Sequence, residues 1–236
     1  MILLVDGFKE AIELLISGND SVYSAIIVTI TVSSWSILIS LILGLPLGFL
    51  LGYYQFKGKT VIKTIVDTFL AFPTVVIGIL VYTTLSQAGA FGEYNLLFTQ
   101  KAIIIGQIFL GLPIIIALTA AQVESTDKRL YLSLKGLGAK PYQILLTTLV
   151  EARFGLMTAA MTAYGRIITE IGISMMVGGN IKYHTRTITT AISLETGKGE
   201  FETGIALGLV LFIVALMVNI ALSMLKIGRA SCRERV

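Results

Sequence analysis

The sequence predicts an all-α, polytopic membrane protein with about five transmembrane helices, an N-terminal amphipathic helix and a short cytoplasmic helix. Two observations support this fold class. Of the 236 residues, 55% are hydrophobic and only 14% are charged, whereas soluble domains carry about 25% charged residues. The mean hydropathy is +0.87, and one soluble domain cannot bury so much apolar surface. This composition excludes a disordered chain and most soluble enzymes, and the scattered net charge of +4 does not favour nucleic-acid binding.

Five stretches are long and apolar enough to cross a membrane, which requires about 20 mostly apolar residues. The first is longer than a bilayer requires, and the fourth is less apolar than the others. The predicted spans are residues 22–54, 61–85, 102–123, 145–177 and 204–225.

The two ends of the chain differ from these spans. Within residues 1–20, apolar side chains recur at helical spacing from Phe8 to Ile16, which predicts an amphipathic helix lying at the membrane interface. Residues 227–236 resemble a sequencing adapter translated in frame, the alternative being a genuine basic cytoplasmic tail. Such segments are excluded from fold reasoning, so the transmembrane domain is assigned to residues 21–226.

The distribution of Lys and Arg between the loops predicts the orientation. Eight cations fall on one side of the predicted topology and five on the other. The loops after the first and third spans lie on the more cationic side, which is therefore predicted to be cytoplasmic. This places the N-terminus outside, and an odd number of spans places the C-terminus inside.

Glycines and prolines inside the spans predict close helix contacts and bends. Gly44, Gly48 and Gly52 recur at four-residue spacing in the first span, which favours close packing within one subunit over a dimer seam. Gly204 and Gly208 repeat this spacing in the fifth span. Prolines inside spans mark kinks, often where helices line a cavity. They are Pro46, Pro73 and Pro113.

Patterns that would indicate an enzyme are incomplete. Residues 58–60 read Gly-Lys-Thr, but a phosphate-binding loop needs a further glycine at the position of Tyr53. His184 is the single histidine and has no HExxH pattern or cysteine partner. Asp67 alone lies near a span interior, whereas an aspartyl protease needs two such residues. The residues therefore predict no catalytic, nucleotide or metal site.

The loop between the third and fourth spans carries a helical pattern. Leu130, Leu134 and Leu137 recur at helical spacing, Gly138 ends that turn, and Pro141 starts the next helix. The exposed apolar face of a short cytoplasmic helix indicates a soluble partner, and a simple interfacial helix is the alternative.

The stretch LSLKGLGAKPYQIL in this loop resembles the EAA loop of permease subunits of ABC-type importers. Gly138 matches the family glycine, with Leu137 before it and Ala139 after it. Residues 132–134 depart from the pattern, because Leu-Ser-Leu stands where the family has Glu-Ala-Ala. The resemblance implies that the loop contacts a separate ATPase. The implied coupling residues are Leu130, Leu134, Lys135, Leu137, Gly138, Ala139 and Pro141.

Three further blocks are similar to oxyanion permeases. YGRIITEIGISMMVGGNI resembles a segment of molybdate, tungstate and sulfate permeases, and DTFLAFPTVVIGILVY and LLFTQKAIIIGQIFLGLPIIIALT resemble the tungstate-type subfamily. Together the blocks imply a permease of type I importer architecture in the cytoplasmic membrane, passing tungstate or alternatively molybdate or another oxyanion. The implied partners are a second copy of the chain, a P-loop ATPase subunit that binds the ATP, and a periplasmic or lipid-anchored substrate-binding protein.

Polar residues within the spans are candidates for the pathway of such an anion. An isolated ion costs tens of kcal/mol in hydrocarbon, so a pathway must offer hydrogen-bond donors. Arg166 and Glu170 are four residues apart on one helix face and form either a structural ion pair or a gate. The pathway candidates are Pro73, Thr74, Arg166, Thr169 and Glu170.

Two other classes of membrane protein are weighed against the importer. A stand-alone secondary transporter predicts a larger chain with inverted repeats and intramembrane ion ligands. A membrane enzyme needs a nucleophile, acid or metal set. Neither pattern is visible in the sequence.

Overall fold

The computed structural model describes Gly7, Ala11, residues 19–125 and residues 133–230. Leu130 and residues 231–236 therefore lie outside the described part. The helix predicted within residues 1–20 also lies outside it, apart from Gly7, Ala11 and the last two residues of that range. Within that part the regular structure is helical and contains no strand. In chain order the helices with defined bounds are α1 Asp20–Tyr53, α2 Lys59–Leu70, α3 Thr74–Leu85, α4 Gln100–Glu124, α5 Pro141–Glu151, α6 Arg153–Ile168, α7 Gly172–Gly178, α8 Ile188–Lys198 and α9 Phe201–Ala230.

Three of these helices, α1, α4 and α9, are each long and apolar enough to cross a membrane. They confirm the first, third and fifth predicted spans. The side chain of Asn19 caps α1 by accepting a hydrogen bond from the backbone N–H of Ser21 at 3.1 Å. Thr99 caps α4 in the same way through the N–H of Ala102, since a capping oxygen satisfies a backbone donor that the first helical turn leaves unpaired.

The second predicted span is a bent pair rather than one helix. α2 and α3 meet at an angle of 97°, and Pro73 is the residue that caps α3. Proline has no N–H to donate and disfavours a helical conformation in the residue before it, so helix α2 ends and α3 starts anew. The predicted bend at Pro73 is confirmed, and the second span consists of two helices that meet at this bend.

The fourth predicted span is also broken, into three shorter helices. α5 begins at Pro141, as predicted, and bends by 71° into α6 at Ala152. The chain then leaves the helix after Ile168 and resumes as α7 at Gly172. No proline or glycine marks the break at Ala152, so local sequence does not signal it.

Glycine contacts show that α1 and α4 run parallel. A Cβ at Gly44, Gly48 or Gly52 would lie 2.6 to 2.9 Å from side-chain atoms of Ile115, Thr119 and Val123 respectively. These contacts confirm the predicted close packing within one subunit. Each pair is separated by the same number of residues, so both helices run in the same direction. The α2–α3 pair must therefore return the chain across the membrane.

Helices α6 and α7 run back along α4 in the opposite direction. Gly106 meets Ile173 and Gly111 meets Ile167, so α6 and α7 run antiparallel to α4. The backbone N–H of Phe98, just before α4, donates to Val177 O at 2.8 Å, which brings the end of α7 to the start of α4. The described helices therefore provide three single-helix spans, α1, α4 and α9, and up to five passes if the bent pairs α2–α3 and α5–α6 each count as one.

Two apolar clusters form the core, and α1 contributes to both. One joins α1 to α3, α4 and α7 around Val32, Ile103 and Ile173. The other joins α1 to α6, α8 and α9 around Ile188 and Val210. α1 is thus the central element against which both halves of the bundle pack.

Helix α8 lies in a segment that the sequence analysis placed in an outer loop. The hydroxyl of Thr187 caps its first turn, and Gly199 ends it with φ +88°. A Cβ at Gly204 would lie 2.7 Å from the Thr196 side chain of α8, whereas Gly208 has nothing within 4 Å. The expected close contact is therefore present at Gly204 and absent at Gly208.

Candidate transport pathway and coupling loop

Two helix breaks meet near the middle of the bundle. One separates α2 from α3 at Pro73, and the other separates α6 from α7 around Glu170. The position that a Cβ of Gly172 would occupy lies 3.2 Å from both Thr74 Oγ1 and Glu170 Oε1. Folding therefore brings together pathway candidates that are almost 100 residues apart in the sequence.

Glu170 accepts hydrogen bonds from three residues, two through its carboxylate and one through its backbone carbonyl. Its side chain is only 2% exposed, and Oε2 accepts a hydrogen bond from Arg166 Nη1 at 3.2 Å. Oε1 accepts from the backbone N–H of Ile173 at 3.2 Å in the first turn of α7. The carbonyl of Glu170 accepts from Thr189 Oγ1 at 3.1 Å. Glu170 thus ties α6, α7 and α8 together.

Arg166 differs from its partner in exposure. Its side chain is 46% exposed, and Nη1 is the one guanidinium nitrogen for which an acceptor is found in the described part of the chain. The neighbouring Ile167 packs against Gly111, which lies near the midpoint of α4. Arg166 therefore presents free donors close to the middle of the membrane-spanning bundle.

The exposed face of α6 is polar. Within this helix, which is described in full, Thr158, Thr162 and Arg166 are the exposed residues, and exposed Thr169 follows directly after its end. The three hydroxyl groups donate to carbonyls four residues earlier at 2.9 to 3.0 Å. We name Thr158, Thr162, Arg166 and Thr169 the α6 polar stripe.

The predicted coupling loop is exposed and turns at its glycine. Residues 133–136 form one helical turn, and Gly138 follows with φ +74°. The turn expected at Gly138 is therefore present, with a left-handed backbone. Leu137 is 83% exposed and Lys135 is also exposed, whereas Leu134 and Ala139 are half-buried.

An ion cluster at the end of α4 was not predicted from the sequence. Glu124, the last residue of α4, accepts from Lys59 Nζ at 2.9 Å and from Lys63 Nζ at 2.7 Å. Lys59 also donates to the carbonyl of Gly52 at 3.0 Å. The cluster joins the ends of α1 and α4 to the start of α2. The available signal was the four-residue spacing of the lysines and the carboxylate at the end of the third span.

A second polar network, also missed, lies at the opposite end of the bundle. Arg186 Nε donates to Asn180 Oδ1 at 3.1 Å, and Thr190 Oγ1 donates to the same oxygen at 3.0 Å. Asn180 has φ +50°. The network fixes the segment between α7 and α8. Its nearest sequence signal is the run of threonines from 185 to 190.

In the described part of the chain, the all-helical bundle has three helices and two bent helix pairs that are long and apolar enough to cross a membrane, which is the architecture of a multi-pass membrane protein. The chain belongs to the family of binding-protein-dependent transport system inner membrane components, which matches residues 44–227. The resemblance seen in the sequence is thereby confirmed at the level of the family.

Relatives of known name agree with this family. The tungstate uptake system permease protein TupB of Campylobacter jejuni is 51% identical over 94% of this chain and 93% of its own. The probable anion ABC transporter permease protein of Haloferax volcanii is 40% identical over 81% and 85%. The molybdenum transport system permease protein ModB of Escherichia coli is 25% identical over 87% and 93%.

Solved structures show the same fold. A bacterial alginate ABC transporter chain superposes with a TM-score of 0.77, covering 95% of this chain and 86% of that one, at 21% identity. A chain of the MetNI methionine ABC transporter gives a TM-score of 0.69, covering 89% and 94%, also at 21% identity. The importer-permease fold predicted from the sequence is confirmed.

Proposed function

We propose that this chain is the transmembrane subunit of an ATP-driven importer that passes tungstate across the cytoplasmic membrane. The observation that carries the proposal is the 51% identity to a tungstate uptake permease over nearly the whole of both chains. Molybdate or another oxyanion is the second candidate, because molybdenum and molybdate/tungstate permeases match at 25 to 28% identity.

The pathway in this proposal runs past the point where the helix breaks meet. Pro73, Thr74, Arg166, Thr169 and Glu170 are its residues. The support is geometric, because Thr74 and Glu170 converge on Gly172 and Arg166 is half-exposed. An anion that leaves water needs such donors in place of its hydration shell.

In this proposal, the energy of ATP hydrolysis reaches the permease through the coupling loop between α4 and α5. Leu130, Leu134, Lys135, Leu137, Gly138, Ala139 and Pro141 are the proposed contacts with a P-loop ATPase subunit, which binds the ATP. The exposure of Leu137 supports this contact, because a large apolar side chain in solvent favours a partner surface. The loop is cytoplasmic in this proposal, and the N-terminus and the binding-protein surface lie outside. Two permease copies present two loops to two ATPase subunits.

A substitution at Gly138 tests the coupling. Gly138 and Gly199 both have positive φ, +74° and +88°, and a Cβ at either would meet nothing within 4 Å. Gly138→Asp and Gly199→Asp therefore carry the same backbone strain, about 1 kcal/mol, at opposite ends of the bundle. We expect only Gly138→Asp to release the ATPase.

The measurement is the subunit ratio after co-expression and purification in detergent, together with oxyanion-stimulated ATP hydrolysis. The Gly199→Asp permease should retain the ATPase. Normal ATPase binding and stimulated turnover in Gly138→Asp would show that this loop is not the coupling element.

A further inference from the structure

The position of Arg166 is incompatible with a face turned to lipid. It lies on the exposed side of α6, beside a residue that packs against the midpoint of α4. A charged side chain at the centre of the hydrocarbon is costly, and such side chains almost always face the interior of a bundle or a water-filled cavity. The polar stripe must therefore face an aqueous path or a second copy of the chain.

We propose that Arg166 and the hydroxyl groups of Thr162 and Thr169 form a transient oxyanion-binding site inside the membrane. The proposal rests on the proposed function and assigns to these residues a step in the passage of the anion through the permease, after it has left the binding protein. A guanidinium edge offers two parallel N–H donors, which match two oxygens of a tetrahedral oxyanion.

In the ion pair between Arg166 and Glu170, only Arg166 is accessible to an incoming anion. Both carboxylate oxygens of Glu170 already accept protein hydrogen bonds, and the side chain is buried. Arg166 uses Nη1 toward Glu170 and keeps the rest of its exposed guanidinium for another acceptor. The incoming anion therefore approaches donors and not the carboxylate.

The ion pair between Arg166 and Glu170 also keeps the affinity of the site for the anion low. Glu170 competes with the anion for Arg166 at 3.2 Å, so the positive charge is already partly balanced before the anion arrives. Conduction requires binding that is favourable enough for entry and weak enough for release. Glu170 is a positioning residue in this scheme, because it acts on the anion only through Arg166.

The threonines supply donors without a buried charge. The hydroxyl of Thr162 donates to Thr158 O at 2.9 Å, and that of Thr169 donates to Gly165 O at 2.9 Å. Both hydroxyl groups thus bond carbonyls of their own chain segment, and a hydroxyl can rotate from such a carbonyl to the anion. A second copy facing the stripe would double these donors around one path.

Cysteine protection tests the site in the whole complex. Thr162→Cys is introduced into a permease in which Cys232 is replaced by serine, and the complex with its ATPase and binding protein is reconstituted in lipid nanodiscs. The rate of thiol modification is measured at increasing tungstate. We expect tungstate to slow modification at position 162, and Arg166→Gln to raise the half-maximal tungstate concentration roughly tenfold or more.

Two variants separate anion binding from a structural role. Arg166→Lys keeps the charge but loses the paired donors, so protection should weaken. Glu170→Gln removes the competitor and should strengthen protection while it slows release. A purely structural pair predicts loss of protection in both Arg166→Gln and Glu170→Gln, which would overturn the proposal.

The control cysteine is Thr64→Cys on α2. Thr64 is exposed and donates to the carbonyl four residues earlier at 2.9 Å, as Thr162 does, but it lies outside the stripe. Tungstate should not protect it, and equal protection of both positions or equal protection by chloride would overturn the site.

Tungstate uptake by the unaltered complex is measured in parallel. Uptake without protection at position 162 refutes the site alone, and absence of uptake refutes the proposed function.

Discussion

Gly48 should be the most sensitive position in the contact between α1 and α4. A Cβ there would lie 2.6 Å from Thr119 Cβ and 2.8 Å from the backbone oxygen of Ile116, whereas ordinary contact begins at 3.4 Å. The carbonyl of Ile116 belongs to a helix and cannot rotate away. Thr119 Cβ is bonded directly to the backbone and cannot rotate away either, so Gly48→Ala requires α1 and α4 to separate by about 0.8 Å, the difference between 3.4 and 2.6 Å.

The energetic cost follows from that displacement. Overpacking a tight interface costs about 1–3 kcal/mol, and a gap of 0.5–1 Å forfeits roughly a quarter to a half of each neighbouring dispersion contact. Since α1 packs in both core clusters, we expect Gly48→Ala to lower the free energy of unfolding by about 2 kcal/mol.

Gly208→Ala is the matched control. It is the same substitution inside a long apolar helix, but the new Cβ would meet nothing within 4 Å. The free energy of unfolding of each purified permease is measured in mixed detergent and SDS micelles from the loss of helical circular dichroism. Indistinguishable unfolding midpoints for the two variants would refute the packing argument.

Three further outcomes are expected. Glu124→Gln should destabilise the end of the bundle at which α1 and α4 end by about 1 kcal/mol, because the cluster is partly exposed, and the loss should shrink at high salt; a salt-independent loss in the same unfolding assay would contradict the electrostatic reason. Deletion of residues 227–236 should leave assembly and tungstate uptake intact, and a large loss of uptake would show a genuine tail. Cysteines at Glu93 and Lys140 should be labelled from opposite sides of the membrane, and labelling from the same side would exclude the five-pass topology.

Local sequence determined the apolar passes and several of their contacts. A membrane-crossing segment must be long, apolar and internally hydrogen-bonded, and these requirements are met residue by residue along α1, α4 and α9. The close helix packing at Gly48 and the turn at Gly138 were predicted correctly because both depend on residues that are near in the sequence. At Gly48 the spacing alone indicates a close approach, and at Gly138 a turn between helices favours a left-handed residue.

The tertiary structure decided where the apolar runs break and which polar groups meet. The break at Ala152 has no proline or glycine to announce it, and α8 lies in a segment that looks like a loop. Glu124 is more than 60 residues from Lys59 and Lys63, and Thr74 is almost 100 residues from Glu170. Such pairs form because parallel and antiparallel helices bring distant turns to the same depth. The burial of Glu170 and the exposure of Arg166 are fixed by neighbouring helices, and no periodicity within their own segment specifies them.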